Sequence, residues 1–194
     1  MQTAQELSKQ DINELPLYKY EGETYLVRTS DELEAAVQEL ALEKILGFDT
    51  ETKPNFRKGC SNNPALVQLA SSRAVYIFQL KFLPFGPQLA SLLANTEIIK
   101  AGVATRDDIK ALVALHEFKS ESMVDLGAAA ERKGIKMHGL RGLAGLFLNV
   151  RISKSARCSN WGAENLSKQQ IAYAATDAWI SREIYLKMQE AALL

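Results

Sequence analysis

The stretch Gly47-Phe48-Asp49-Thr50-Glu51-Thr52 follows the apolar pair Ile45-Leu46 and reads as a buried strand that ends in two acids. Successive side chains on a strand point to opposite faces, so Asp49 and Glu51 present their carboxylates side by side, with Phe48 and Thr50 on the other face. Two such acids repel each other, and an unpaired buried charge costs several kcal/mol. A divalent cation bound between them removes that cost. From these six residues alone, a strand that merely runs out into a polar loop is an equally good reading. Other acids must decide.

On the N-terminal side, Thr24-Tyr25-Leu26-Val27-Arg28 alternates as a short strand. Ser30 is expected to cap a helix whose first turn carries Asp31 and Glu32, where they complement the positive end of the helix. Its apolar stripe is Leu33, Ala36, Val37, Leu40 and Ala41. Residues 1–22 are polar, with Pro16, Tyr18 and Tyr20, and read as an N-terminal arm with a short helix lying on the domain.

On the C-terminal side comes a loop of turn formers and cations, Lys53-Pro54-Asn55-Phe56-Arg57-Lys58-Gly59. Residues 65–71 and 74–78 are two further strands joined by the polar turn Ser71-Ser72-Arg73, which with the opening strand make an antiparallel meander. A helix at 88–94, a strand at 97–103, a helix at 107–115 and a short edge strand at 122–124 follow, a β-α-β-α rhythm that adds parallel strands. Helices are then predicted at 126–133 and 140–148. A last, long helix opens with the capping box Ser167-Lys168-Gln169-Gln170, and its stripe of Ile171, Ala174, Ala175 and Ala178 is narrow enough for close packing on a sheet. The expectation is one α/β domain over residues 23–194, a mixed sheet of five to six strands flanked by helices.

Composition narrows the function classes. Lysine plus arginine (23) equals aspartate plus glutamate (23), so a nucleic-acid partner has to be held by a local basic patch or by metal ions. Cys60 and Cys158 form no CxxC pair and His116 and His138 are the two histidines, which argues against a zinc cluster and leaves the cysteines as structural residues. A reducing, cytoplasmic location is expected. The polar N-terminus and the lack of any apolar run near 20 residues predict neither a signal peptide nor a membrane span. Gly139, Gly142 and Gly145 recur every third residue, which is no phosphate loop and is expected to let a helix pack closely.

Two more acidic segments converge on the first. In Gly102-Val103-Ala104-Thr105-Arg106-Asp107-Asp108-Ile109 a strand ends and a helix begins, which delivers a helix-start acid to the strand-end edge beside Asp49 and Glu51. On the final helix, Tyr173 and Asp177 are four apart and share one face. There an acid on a metal and a phenol holding a water can act together.

Phe48-Asp49-Thr50-Glu51, Gly102-Val103 leading to Asp108, and Tyr173-Ala174-Ala175-Thr176-Asp177 resemble the three motifs of the DEDDy 3'-5' exonucleases. The likeness is to the Werner-syndrome-type exonuclease domain first and to RNase D more distantly. Lys154-Ser155-Ala156-Arg157-Cys158-Ser159-Asn160-Trp161 is similar to the segment that precedes the last motif there, and Ala65-Leu66-Val67-Gln68-Leu69 fits the second strand. The likeness runs from about residue 25 to the C-terminus, and three motifs in order are far more specific than any one of them.

The resemblance implies a ribonuclease-H-like sheet and removal of nucleoside 5'-monophosphates from the 3' end of DNA or RNA. It also implies two Mg²⁺ or Mn²⁺ ions roughly 3.5 to 4 Å apart. Asp49 would bridge both ions, Glu51 and Asp177 would hold the water-activating ion, Asp108 would support the other, and Tyr173 would orient the attacking water. Of the adjacent pair, Asp108 rather than Asp107 takes the motif's offset from Gly102. Arg57, Lys58, Lys154 and Arg157 are candidates to grip substrate phosphates, against the plain reading of solvated loop charges. Trp161 and Phe56 are candidates to stack on a base, although a loop tryptophan is more commonly a core lid. No helicase or helical accessory segment is recognisable, so processivity is expected to come from a homo-oligomer or a protein partner. The rival reading is a non-catalytic nucleic-acid-binding or interaction module of the same fold.

Overall fold

The computed structural model describes residues 7–54 and 62–194. Six strands form one sheet: β1 (Glu23–Val27), β2 (Ile45–Thr52), β3 (Pro64–Ala70), β4 (Ala74–Gln79), β5 (Ile99–Gly102) and β6 (Met123–Asp125). Their order across the sheet is β1-β4-β3-β2-β5-β6. The meander β2-β3-β4 is antiparallel, and β5 and β6 run parallel to β2. Strand β1 adds to the far edge, parallel to β4, a pairing that local pattern does not specify.

The helices are α1 (Lys9–Glu14), α2 (Ser30–Leu40), α3 (Pro87–Ala94), α4 (Arg106–Leu115), α5 (Leu126–Arg132), α6 (Leu140–Leu148) and α7 (Lys168–Glu190). Ser167 accepts from the Gln170 N–H and the Gln170 side chain returns to Ser167, closing the capping box at the start of α7. Helix α2 is capped one residue before the expected Ser30. Thr29 accepts from the Glu32 N–H, and Glu32 reaches back to the Thr29 N–H, because the preceding chain is still extended at Thr29.

The sheet separates two apolar layers. Phe48, Val67, Leu69 and Phe78 face α2, α3 and α4, packing with Leu33, Leu93 and Leu112. The alternate residues face α7, where Leu66, Ala70 and Ile77 meet Ala174, Ala175 and Ala178. The small residues of α7 permit a very close approach. A β-carbon on Gly47 would lie 2.0 Å from the Ala178 carbonyl oxygen, so only glycine allows α7 to lie against the middle of β2.

The cleft originates in the strand register. Pairing of β2 with β5 runs through Ile45, Leu46 and Gly47 and ends there, whereas pairing with β3 continues to Thr52. The second half of β2 therefore projects past its parallel neighbour. Beyond the end of β5 the chain turns sharply through Ala104, which is left-handed (φ 56°), into α4. Gly102 permits this turn, since a β-carbon there would sit 2.5 Å from Thr105 Cγ2 and 2.7 Å from the Phe48 carbonyl oxygen.

The arm is built into the domain. Tyr18 N–H donates to the Arg151 carbonyl (2.8 Å), Arg151 N–H to the Pro16 carbonyl (3.0 Å), and Tyr20 N–H to Thr176 Oγ1 on α7 (3.0 Å). Of the three regularly spaced glycines, Gly145 does what close packing requires, because a β-carbon there would crowd Leu15, Ile12 and Leu7 of the arm at 3.2 to 3.4 Å. Among the described residues no helix is long and apolar enough to cross a membrane.

Candidate active site

The projecting end of β2 carries Asp49 and Glu51 on the α7 face, and α7 supplies Asp177 directly against them. One carboxylate oxygen from each of the three residues lies within 4.8 Å of the others. They share a cleft of about 740 Å³ with Asp108, Tyr173, Lys154 and Arg157. Burial is the main force that pushes the Asp49 carboxyl well above the carboxylate range, and the charges of Asp177 and Asp108 add to it. Burial and then Asp49, Asp177 and Asp108 push Glu51 up to about 10, with Arg157 partly opposing them. Burial likewise pushes Asp177 up to about 7 against a hydrogen bond from Tyr173. Three carboxylates that repel one another in a partly buried cleft offer the hard oxygen donors that a divalent cation takes.

The fourth acid arrives from the opposite layer. Asp108 stands in the first turn of α4, on the side of the sheet to which Thr50 points, and Thr50 Oγ1 donates to Asp108 Oδ1 at 2.5 Å. Burial raises Asp108 while the Thr50 hydroxyl lowers it. Asp107 is exposed and does not line the cleft. The cleft thus receives Asp49, Glu51 and Asp177 from the α7 side and Asp108 from the α4 side. The structure holds Asp108 beside the three-acid cluster rather than within it.

Tyr173 is half-buried, and its phenol is pushed far upward by burial first and then by Asp177, Glu51 and Asp49, so it stays protonated at any working pH. Its position is set from behind by Trp161, whose ring centroid is 5.9 Å away. Of the two readings of Trp161, a base-stacking face and a core lid, its burial fits the lid. The indole is completely buried, packed with Leu66, Ala156 and Ala174, and offers no face on which a base could stack. Gln79, the last residue of β4, donates to the Ala163 and Glu164 carbonyls and so draws the Trp161 loop over the sheet.

Lys154 and Arg157 are exposed and line the cleft. Arg57, Lys58, Phe56 and Cys60 lie outside the described residues. Neither histidine lines the cleft, and His138 Nε2 is bonded instead to the Ile135 carbonyl at 2.8 Å. Among the cleft-wall residues that pattern reading missed are Lys9 and Asn13 on α1 and Arg141 on α6. No local signal marks them, since they reach the cleft only because α1 folds back onto α6.

A family model described as 3'-5' exonuclease matches residues 25–192. Over 150 residues the chain is 36% identical to the mouse bifunctional 3'-5' exonuclease/ATP-dependent helicase WRN, covering 74% of this chain and 11% of that protein. Against the Drosophila melanogaster exonuclease 3'-5' domain-containing protein 2 it is 37% identical over 150 residues, or 75% of this chain and 25% of that protein. The chain therefore spans between a tenth and a quarter of these relatives' length. Among solved structures, the Aedes aegypti Nibbler EXO domain superposes with a TM-score of 0.80 at 23% identity, covering 89% of this chain and 91% of that one. Escherichia coli RNase D superposes with a TM-score of 0.77 at 18% identity, covering 89% and 47%. The six-stranded mixed sheet is thus of the ribonuclease-H-like kind found in RNase D. With the match spanning nearly all of its length, the chain belongs to the 3'-5' exonuclease family.

Proposed function

We propose that this chain is a DEDDy-type 3'-5' exonuclease that removes nucleoside 5'-monophosphates from the 3' end of DNA or RNA, using two divalent cations, Mg²⁺ or Mn²⁺. The observation that carries this reading is the convergence of Asp49, Glu51 and Asp177 oxygens within 4.8 Å at the open end of the sheet. Their mutual repulsion is the thermodynamic reason for a cation to enter. Asp49 would be the ligand shared by the two cations, the role that its place in the first exonuclease motif implies. Bound there, the cations would supply charge neutralisation at the scissile phosphate and a water nucleophile at neutral pH.

The chain's own residues do the rest. Asp108 is held in place by the Thr50 hydroxyl. Asp177 is oriented by Tyr173, one turn earlier on the same helix face. A phenol that stays protonated is no general base, so Tyr173 orients a water by hydrogen bonding and leaves the proton to a carboxylate. Arg157 and Lys154 stand where they can meet backbone phosphates.

The test is trimming of a 5'-labelled single strand with Mg²⁺ or Mn²⁺. A ladder shortened from the 3' end, with mononucleotide products and full suppression by EDTA, is the expected result. A label that stays full length with either metal, or trimming that persists in EDTA, overturns the reading.

A further inference from the structure

The cleft that holds the acids is walled on another side by two cations and an amide that lie outside the three acidic motifs. Lys9 and Asn13 come from α1, and Arg141 from the first turn of α6. Arg141 Nη2 donates to Asn13 Oδ1 at 2.6 Å, while its Nε is buried without a partner. Among the described residues, no carboxylate forms an ion pair with Arg141 or with Lys9. A half-buried guanidinium steadied by a neutral amide, with one N–H stranded and no carboxylate of the described residues at ion-pair distance, is a costly arrangement for a purely structural residue. A phosphate in the cleft would supply the missing counter-charge through the guanidinium nitrogens other than the sealed Nε, since the planar group matches phosphate oxygens in geometry and charge.

The wall is also rigidly mounted. Ile12 is buried, Gly145 leaves room for the arm on α6, and Arg151 fixes the return of the chain through its backbone pairing and through Nε to the Leu15 carbonyl at 2.9 Å. The arm therefore holds Lys9 and Asn13 at the cleft without relying on α1 alone, which is too short to be stable by itself.

We propose that Lys9, Asn13 and Arg141 form a phosphate anchor, built by the N-terminal arm on α6, that holds the backbone of a single-stranded nucleic acid at a phosphate other than the scissile one. The choice of nucleic acid as ligand rests on the exonuclease reading; the anchor itself rests on the geometry of the α1–α6 wall. Arg141 makes the contact, Asn13 sets its angle, and Lys9 adds a second charge.

The test is fluorescence anisotropy of a 5'-labelled single strand, titrated with the full chain at several salt concentrations in Ca²⁺. For a single strand, each phosphate that the protein no longer neutralises lowers the log-log salt slope by about 0.7. Arg141→Gln is expected to weaken binding by about tenfold and to lower the slope by that amount, while Arg141→Lys restores the slope. Lys9→Gln, at an exposed position, is expected to lower the slope by a similar amount and serves if an Arg141 variant misfolds. Wild-type affinity and slope in both Arg141→Gln and Lys9→Gln would overturn the anchor, as would weaker binding with an unchanged slope. A wild-type chain that binds with this salt dependence and trims nothing keeps the anchor and removes the exonuclease reading. A chain that trims, with variants whose binding is unaltered, does the reverse.

Discussion

Two neighbouring parallel strands treat buried charge in opposite ways. Near the start of β5, Lys100 is completely buried, yet its Nζ donates to the Asn95, Ile98 and Glu121 carbonyls at 2.8, 2.9 and 3.0 Å. All three ammonium hydrogens are used, and the amine ties the turn before β5 to the chain entering β6. Burial pushes it down to about 8, which leaves it charged at neutral pH. At the far end of β2, the strand that pairs with β5, Asp49 and Glu51 meet Asp177 with no such closure. The contrast separates two uses of a buried charge. One is saturated by the fold and needs nothing more; the other is left short of positive charge, and the cation has to come from outside.

The strongest way to break this comparison is Asp49→Ala. If the acids are a cation site, the variant loses at least about 10³-fold in kcat/KM for 3' trimming, some 4 kcal/mol of barrier. Its melting temperature also stops responding to Mg²⁺ or Mn²⁺. Metal-dependent stabilisation equal to wild type would sink the assignment of Asp49 as the bridging ligand. Next in size is Glu51→Gln, which keeps the shape and removes the charge. A loss of about 10²-fold in kcat is expected, with cation binding weakened but still measurable by calorimetry. Equal loss of binding in the Glu51 and Asp49 variants would erase the division of labour between them.

Lys100→Met probes the other half of the comparison. It leaves three carbonyls without their donor, so a loss of about 2 kcal/mol in urea unfolding is expected, with kcat of the folded fraction unchanged. A fall in kcat at full folding would mean that Lys100 reaches the site and that the two ends are not independent.

The smallest effect is the pH dependence of the metal-free protein. Glu51 and Asp177 have folded pKa values raised to about 10 and about 7, so the folded chain binds more protons than the unfolded one above the ordinary carboxylate range. Stability is then highest at roughly pH 4 to 5 and falls as pH rises, through about 7 for Asp177 and towards 10 for Glu51. In EDTA the melting temperature should fall steadily between roughly pH 5 and 8, and saturating Mg²⁺ should flatten that slope. A rise with pH in EDTA would show that the carboxylates are already compensated.

Much of the site was legible because its parts are local. The two-residue period of a strand puts Asp49 beside Glu51, and the four-residue spacing on a helix puts Tyr173 over Asp177, whatever surrounds them. The glycine at the end of β5 and the cap of α7 could be read in the same way. Trp161 could not be placed from its neighbours, because a loop indole is turned inward or outward by what lies beneath it. Here Leu66 and the alanines of α7 lie beneath it, and they bury it completely.

By itself, then, the sequence determined which residues carry charge, on which face of which element, and in what order the elements follow. Tertiary structure decided how the layers meet. It brought Asp108 to the cleft from the opposite side of the sheet through Thr50 while leaving Asp107 in solvent. It ended the β2–β5 pairing at Gly47 and so opened the cleft. It also folded α1 back onto α6 to set Lys9, Asn13 and Arg141 in the wall. Local rules act over a few residues, whereas these placements depend on segments far apart in the chain meeting in space, as Asn13 meets Arg141, which no short-range pattern encodes.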